Sequence, residues 1–567
     1  MVVLYRPFLF TSLPACCNNL AKKIQAIIFS CKFRYSTRPK EPYHMRKLIL
    51  STLAISLSIS LFAQEKLDLP AIQKIRQEGL ENSKVMDIAF QITDVAGPRL
   101  SNSPGLKRAQ DWAVQQFTSW GLKNVQLEAW GQFGKGWQID KYYAATTLPY
   151  YHAIIGAPKA WTPGTKGPIK SEVILIKADT ITDLAPYKGK LAGKIVLFDQ
   201  MTLQPLAPSY QPDVVRHSDS TLSKMAAADL QGQGQRAPRA GAANNMMAQM
   251  MKMRATRAAM AGFMKEEQVG MILSYARGSY GTFFTSNGAS YALDAPAVSP
   301  ELEISSEDYL HILRLLRAGQ KVEIEADIKT SFYDQDPQGY NVIAEIPGTD
   351  RKLKEEVVMI GGHYDSWHSA TGATDNAAGA AVMMEAMRIL KTINFKPKRT
   401  IRIALWSSEE QGLHGSRGYV AKHFGDPKTM TLTKDQKKIS AYYNLDNGTG
   451  AIRGIYAQGN TAAAPIFQEW LNPFQDLGAK TVTLNNTGGT DHLAFDALGI
   501  PGFQFIQDPM DYNTRTHHSN QDTFDRLAEE DLKRAATIVA SFVYHTAQRD
   551  TQIPRKELPK APEAPKN

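Results

Sequence analysis

The chain has 567 residues, more than one hydrophobic core ordinarily holds, so two or three domains are expected. Its 43% apolar and 21% charged residues are ordinary globular usage, which excludes wholesale disorder, a collagen-like chain and a polytopic membrane protein. A net charge of +10 points toward nucleic acid or an anionic membrane, and three cysteines toward a free thiol or an intermolecular bridge.

Both hints dissolve at the amino terminus. From Met45 the chain reads MRKLILSTLAISLSISLFAQEK: Arg46 and Lys47, an uncharged run of 15 residues from Leu48 to Phe62, then the small residue Ala63 before Gln64. This is the layout of a secretory signal peptide over 45–63. The run is short of the ~20 residues of a membrane span, so no stable anchor is expected after cleavage; an uncleaved anchor is the alternative. Residues 1–44 read as an upstream extension from an early start codon, or else as a basic transit peptide. Residues 1–63 carry nine basic residues against one acid, Glu41, and all three cysteines (Cys16, Cys17, Cys31). Without them the net charge is +2, and neither a disulfide nor a thiolate-bound metal can form. A nearly neutral, cysteine-free chain with a leader fits a secreted or periplasmic protein with no nucleic-acid partner.

Residues 64–125 carry apolar residues at three- and four-residue spacing (IQKIRQEGL, VMDIAFQI, AQDWAVQQFTSWGL), which predicts helices with a stop at Gly121. A β-rich section, 126–335, holds strand runs at 173–178, 194–200 and 269–276 and ends on KVEIEADIKTSFYD. Inside it, 212–262 is low-complexity, with seven methionines from Met246 to Met264. It reads as a partly helical insertion with adaptable packing rather than a metal relay or docking face. From 336 to 548 strands alternate with helices: VVMIGG, an amphipathic helix from Asn376 to Ile393, IRIALW, SAYYNLD, IPGFQFI and a last helix over 532–547. This alternation predicts an α/β fold, a mostly parallel sheet flanked by helices, with ligands beyond the carboxyl ends of its strands. The Pro/Lys-rich tail, 549–567, is expected to be disordered.

Acids and histidines of the last section gather at those strand ends. His363 and Asp365 follow VVMIGG, Asp375 precedes the amphipathic helix, Glu409 and Glu410 follow IRIALW, Asp446 ends SAYYNLD, and His517 and His518 follow IPGFQFI. Taken singly, each has an ordinary reading: a helix cap, a solvated acid pair, a surface His-His pair. Five strand-end loops contributing such groups together suit zinc, which takes nitrogen and oxygen donors. The adjacent glutamates allow one to bind metal while the other handles a proton.

GGHYDSWHSATGATDNAAGA, LWSSEEQGLHGS, NLD and HHSNQDT resemble the successive motifs of the co-catalytic zinc aminopeptidase family, of the bacterial leucyl aminopeptidase and glutamate carboxypeptidase type. TDVAGPRLSNSPGLKRAQDWAVQQF is similar to the amino-terminal segment of its plasma glutamate carboxypeptidase branch. The resemblance covers roughly 73–548. It implies a zinc-peptidase core with an inserted β-rich protease-associated domain, and two zinc ions per chain. His363 and Asp446 would hold one, Glu410 and His518 the other, and Asp375 would bridge them. Glu409 would be the general base for a metal-bound hydroxide, and Asp365 would orient His363. His518 is preferred to His517 because the family places its ligand four residues before an Asp-Thr pair, here Asp522-Thr523, and Asp522 is counted among the supporting residues. His492, Trp367 and Tyr512 are pocket candidates. The implied activity is exopeptidase cleavage of short peptides, as an aminopeptidase or a dipeptidase/carboxypeptidase, with a homodimer left open. The alternatives are a non-catalytic receptor of the same fold and a single-zinc glutaminyl cyclase.

Overall fold

The computed structural model describes residues 65–199, 211–228 and 240–561. The expected leader, 1–63, lies outside them, as do parts of the low-complexity segment and the end of the tail. No helix among the described residues is long and apolar enough to cross a membrane.

The first sheet has eight strands, labelled here in chain order: β1 (Lys123–Gln132), β2 (Gln338–Ile346), β3 (Val357–His363), β4 (Thr400–Trp406), β5 (Ile439–Asn444), β6 (Ile452–Tyr456), β7 (Thr481–Thr483) and β8 (Gly502–Gln507). They lie in the order β1-β2-β4-β3-β5-β8-β6-β7. The four central strands β4, β3, β5 and β8 run parallel, while β1 and β2 on one flank and β6 on the other pair antiparallel to their inner neighbours. The sheet is therefore mixed, parallel where its loops carry chemistry. β1 straddles the expected 125/126 boundary and belongs to this sheet.

Alternation along the strands sends their side chains to two separate cores. Val358, Ile360, Ile401, Ile403, Ala441 and Tyr443 face one, with the helices Leu69–Glu81, Ala378–Thr392 and Glu529–Gln548. Met359, Ala404, Trp406 and Tyr442 face the other, with Tyr419, Phe424 and Phe495. The helix expected to be amphipathic is instead buried nearly all round: from Ala378 to Leu390 only Arg388 is not fully enclosed. Its small residues pack against the sheet while Glu385, also buried, accepts from Ser83, the Lys84 amide and Arg388. Gly379 is required here, because a Cβ would stand 2.2 Å from the Leu445 carbonyl oxygen.

A second eight-stranded sheet is built from residues 144–326. Its strands Ile169–Ile176, Ile195–Phe198, Met271–Tyr275 and Glu301–Ile304 run parallel. The methionine-rich segment forms the helix Ala240–Glu266, anchored by Met264 among Leu184, Leu191 and Val269. The expected disorder of the tail needs correcting: it is ordered well past 549. Ile553 is buried, Arg555 donates to the carbonyls of Gly499, Gln436 and Ile439, and Lys556 pairs with Asp496.

Candidate metal centre

Register brings the strand-end residues together. His363 is the last residue of β3 and lies opposite Trp406 at the end of β4, while Gly361 lies opposite Asn444 at the end of β5. The loops that leave these three neighbours therefore start side by side. The β4 loop supplies Glu409 and Glu410, the β5 loop Asp446, and the segment after β8 supplies His517 and His518. Asp375 comes from a tight turn ahead of Ala378–Thr392, joined to Asn376 by a cis peptide bond.

The five expected ligands form one cluster with Asp375 at its middle. His363 Nε2 is 3.2 Å from Asp375 Oδ1 and 3.2 Å from Asp446 Oδ1. On the other side, His518 Nε2 is 3.2 Å from Asp375 Oδ2 and 2.8 Å from Glu410 Oε2. His517 Nε2 is farther away, 3.9 Å from Asp375 Oδ2, and its ring stacks on Tyr512. Buried Asp375 Oδ2 and Glu410 Oε1 have no hydrogen-bond partner. Two imidazoles and three carboxylates with unused lone pairs, enclosed in a small cleft, are a donor set that fits zinc.

Charge crowding shifts proton affinities in the cluster. Burial opposes protonation of His363, but the charges of Asp446 and Glu409 raise it well above the ordinary histidine value. Burial raises Glu409 and Glu410 well above the usual carboxylate range. Burial acts the same way on Asp375, but a hydrogen bond from His363 and the charges of His518 and His363 outweigh it and hold the carboxyl low.

The backbone carries its own constraints. Ser408 and His518 both sit in the left-handed region, at φ +58° and +60°, a conformation that costs roughly 1–3 kcal/mol for such residues and gathers at functional sites. Ser408 is held by the His414 amide on its carbonyl (3.0 Å), and His518 by the Thr285 amide on its own (2.7 Å).

Asp365 and Asp522 both support the cluster, Asp365 through its backbone as well as its carboxylate. The imidazole of His363 is oriented by the backbone carbonyl of Asp365 (Nδ1 at 3.0 Å), with the Asp365 carboxylate 3.8 Å away. That carboxylate instead accepts the amides of Glu409 (3.1 Å) and Glu410 (3.3 Å) and the Ser101 hydroxyl (3.2 Å). Asp522 accepts the amides of Thr374 (2.6 Å) and Asp375 (3.1 Å). Trp367 lines the cleft with Asp375, Glu410 and His518, its ring 6.1 Å from that of His518. Tyr512 is buried beneath His517. His492 is fully buried, bonds to the Gln458 side chain and the Thr487 carbonyl, and is not among the residues lining the cleft. Burial lowers its pKa to about 4.

Two residues at the site escape a reading of the sequence. Arg99, fully buried, donates to the carbonyls of Tyr364 (2.8 Å), Ile92 (3.1 Å), Thr371 (2.5 Å) and Gly372 (2.9 Å), clamping the loops after His363 and before Asp375. Its signal is the GPRLSNSP segment, in which an arginine follows a Gly-Pro turn. Asp491, also fully buried, lies close enough to His363 and Asp446 to exchange charge effects with both, and burial raises its pKa to about 7.

Residues 341–543 match the model of peptidase family M28. Carboxypeptidase Q of Mus musculus is 28% identical over 469 residues, 82% of this chain and 86% of its own. A solved peptidase M28 precursor from Shewanella amazonensis superposes with a TM-score of 0.59 at 24% identity, covering 86% of this chain and 98% of that one. A zinc aminopeptidase from Bacillus subtilis does so with a TM-score of 0.50 at 18% identity, over 82% and 95%. These two structural likenesses speak to the fold: large sheets flanked by helices.

Proposed function

We propose that the chain, whose residues 341–543 match peptidase family M28, is an exported metallo-exopeptidase that hydrolyses short peptides with two zinc ions and Glu409 as general base. The observation that carries this reading is the division of Asp375: one carboxylate oxygen faces His363, which is itself 3.2 Å from Asp446, and the other faces His518. A carboxylate placed between two imidazole–carboxylate pairs suits a bridging ligand. His363 and Asp446 would hold one ion, and Glu410 and His518 the other.

Zinc, when bound, supplies Lewis acidity to the attacking water and to the scissile carbonyl. The residues of the chain do the rest. Glu409 takes a proton from the attacking water and later delivers it to the departing amine. Asp365 fixes the backbone of both glutamates, so the ligand and the base keep a constant spacing. Export rests on the leader from Met45, and the short-peptide substrate rests on the exopeptidase class.

The test is Glu409→Gln in the chain beginning at residue 64. The variant is expected to retain its zinc, measured by atomic absorption, and to lose turnover by roughly 10²-fold or more on every peptide substrate. Wild-type rates in the zinc-loaded variant would remove Glu409 from this role. Zinc at one ion per chain in the wild type would remove the paired arrangement.

A further inference from the structure

The segment that carries His518 is tied to a loop that follows a strand of the second sheet. After the strand Met271–Tyr275 the chain runs through 277–285 and pairs with the His518 segment: Phe284 bridges Ser519, and the Thr285 amide donates to the His518 carbonyl at 2.7 Å. Asn520 ties down the same loop, accepting from the Phe283 amide and donating to the Gly281 carbonyl. Two arginines stand at this seam, and their commitments differ. Arg515 is spent on structure: it pairs with Asp213 at 2.6 Å, donates to the Ser279 carbonyl and the Thr282 hydroxyl, and lies over the Tyr280 ring. Arg277 is exposed and lies over the Phe284 ring at 4.4 Å. Among the described residues it has no carboxylate partner and its guanidinium donates no hydrogen bond.

Stacking on Phe284 fixes the plane of the guanidinium and leaves its N–H edge free. Because Phe284 pairs with Ser519, a residue that lines the cleft, that edge stands at the rim of the metal cleft. The carboxylates of the cleft, Asp375, Glu410 and Asp522, favour the amino end of a peptide. A free cation at the rim favours the other end, because arginine binds carboxylates through two parallel hydrogen bonds. Building on the exopeptidase reading above, we infer that Arg277 is a specificity residue that receives the free terminal carboxylate of a short peptide lying across the metal centre.

The experiment compares three substrates of one amino-terminal residue on the zinc-loaded chain: a free dipeptide, the same dipeptide with a carboxamide end, and the aminoacyl-anilide. The wild type is expected to favour the free dipeptide over its amide by about tenfold in kcat/KM, a difference of about 1.4 kcal/mol. Arg277→Ala is expected to erase that preference through KM, with the amide and anilide unchanged, and Arg277→Lys to restore part of it. Equal losses on all three substrates, no loss on any, or a wild type indifferent to the terminal carboxylate would overturn the assignment. A wild type that cleaves none of the three would overturn the exopeptidase reading itself, and this inference with it. Rates on the amide and anilide separate the two failures.

Discussion

Asp522 accepts the backbone amide of Asp375 at 3.1 Å and so positions a central group of the cluster from a segment 147 residues away. Its other oxygen takes the Thr374 amide at 2.6 Å. Asp522→Asn leaves one acceptor for two donors and turns an N–H toward one of them. Zinc affinity is expected to fall by about 10- to 100-fold, the usual cost of losing a group that orients a ligand. Competition with a chelator measures it, and unchanged affinity would show that the turn keeps its shape unaided.

Asp365 makes a separable prediction, since its carboxylate serves Glu409 and Glu410 while its carbonyl serves His363. In Asp365→Asn the carbonyl is untouched and the glutamate backbone is loosened. Turnover is expected to drop by about 10²-fold, the size of effect that a 1 Å misplacement of a catalytic group produces. The substitution is checked by steady-state kinetics at saturating zinc. A change confined to KM would contradict it.

Arg99 tests whether the clamp beneath the site matters to the whole molecule. Lysine has one charged nitrogen in place of the fork that meets four carbonyls. Arg99→Lys strands buried acceptors, and unfolding in urea without metal is expected to show a loss of about 2–4 kcal/mol. A loss under about 0.5 kcal/mol, the range of an ordinary surface change, would refute the clamp.

Away from the site, Glu303 gives the second sheet a pH dependence. Burial pushes its pKa up to about 7, with Lys159 opposing and Glu301 adding to the rise. A carboxyl with a raised folded-state pKa binds more protons folded than unfolded, so its contribution to stability is lost as pH climbs from the ordinary 4.5 toward 7. Glu303→Gln is therefore expected to match the wild type near pH 4.5 and to exceed it at pH 8 by about 1–3 kcal/mol. Thermal melts at the two pH values decide it, and a constant offset would contradict the assignment.

The gathering of acids and histidines at the strand ends was legible in sequence because hydrophobic runs fix where strands stop, and the residues just beyond carried unusual chemistry. Asp491 was not legible: it precedes a short helix, His492–Asp496, where an aspartate reads as a cap, yet its side chain makes no capping bond. Only burial separates the two cases, and burial is a property of the fold. The enclosed helix Ala378–Thr392 misled for a related reason, since Glu385 and Arg388 look like a solvated face until their partners Ser83, Lys84 and Glu78 arrive from far away in sequence. The edge strands β1 and β7 were missed because one is half-exposed and polar and the other spans three residues. Neither carries the apolar run by which inner strands are read.

The amide of Thr285 on the carbonyl of His518 joins segments 233 residues apart, and His518 is held in a left-handed conformation at that point. The two sheets are therefore tied together along this seam, and they are not interchangeable cassettes. A chimera that replaced the second sheet with that of a relative would have to bring 277–285 and 510–522 from the same parent. A substitution in either segment bears on the backbone of the other, because the bond that holds His518 in its left-handed conformation is made across the seam.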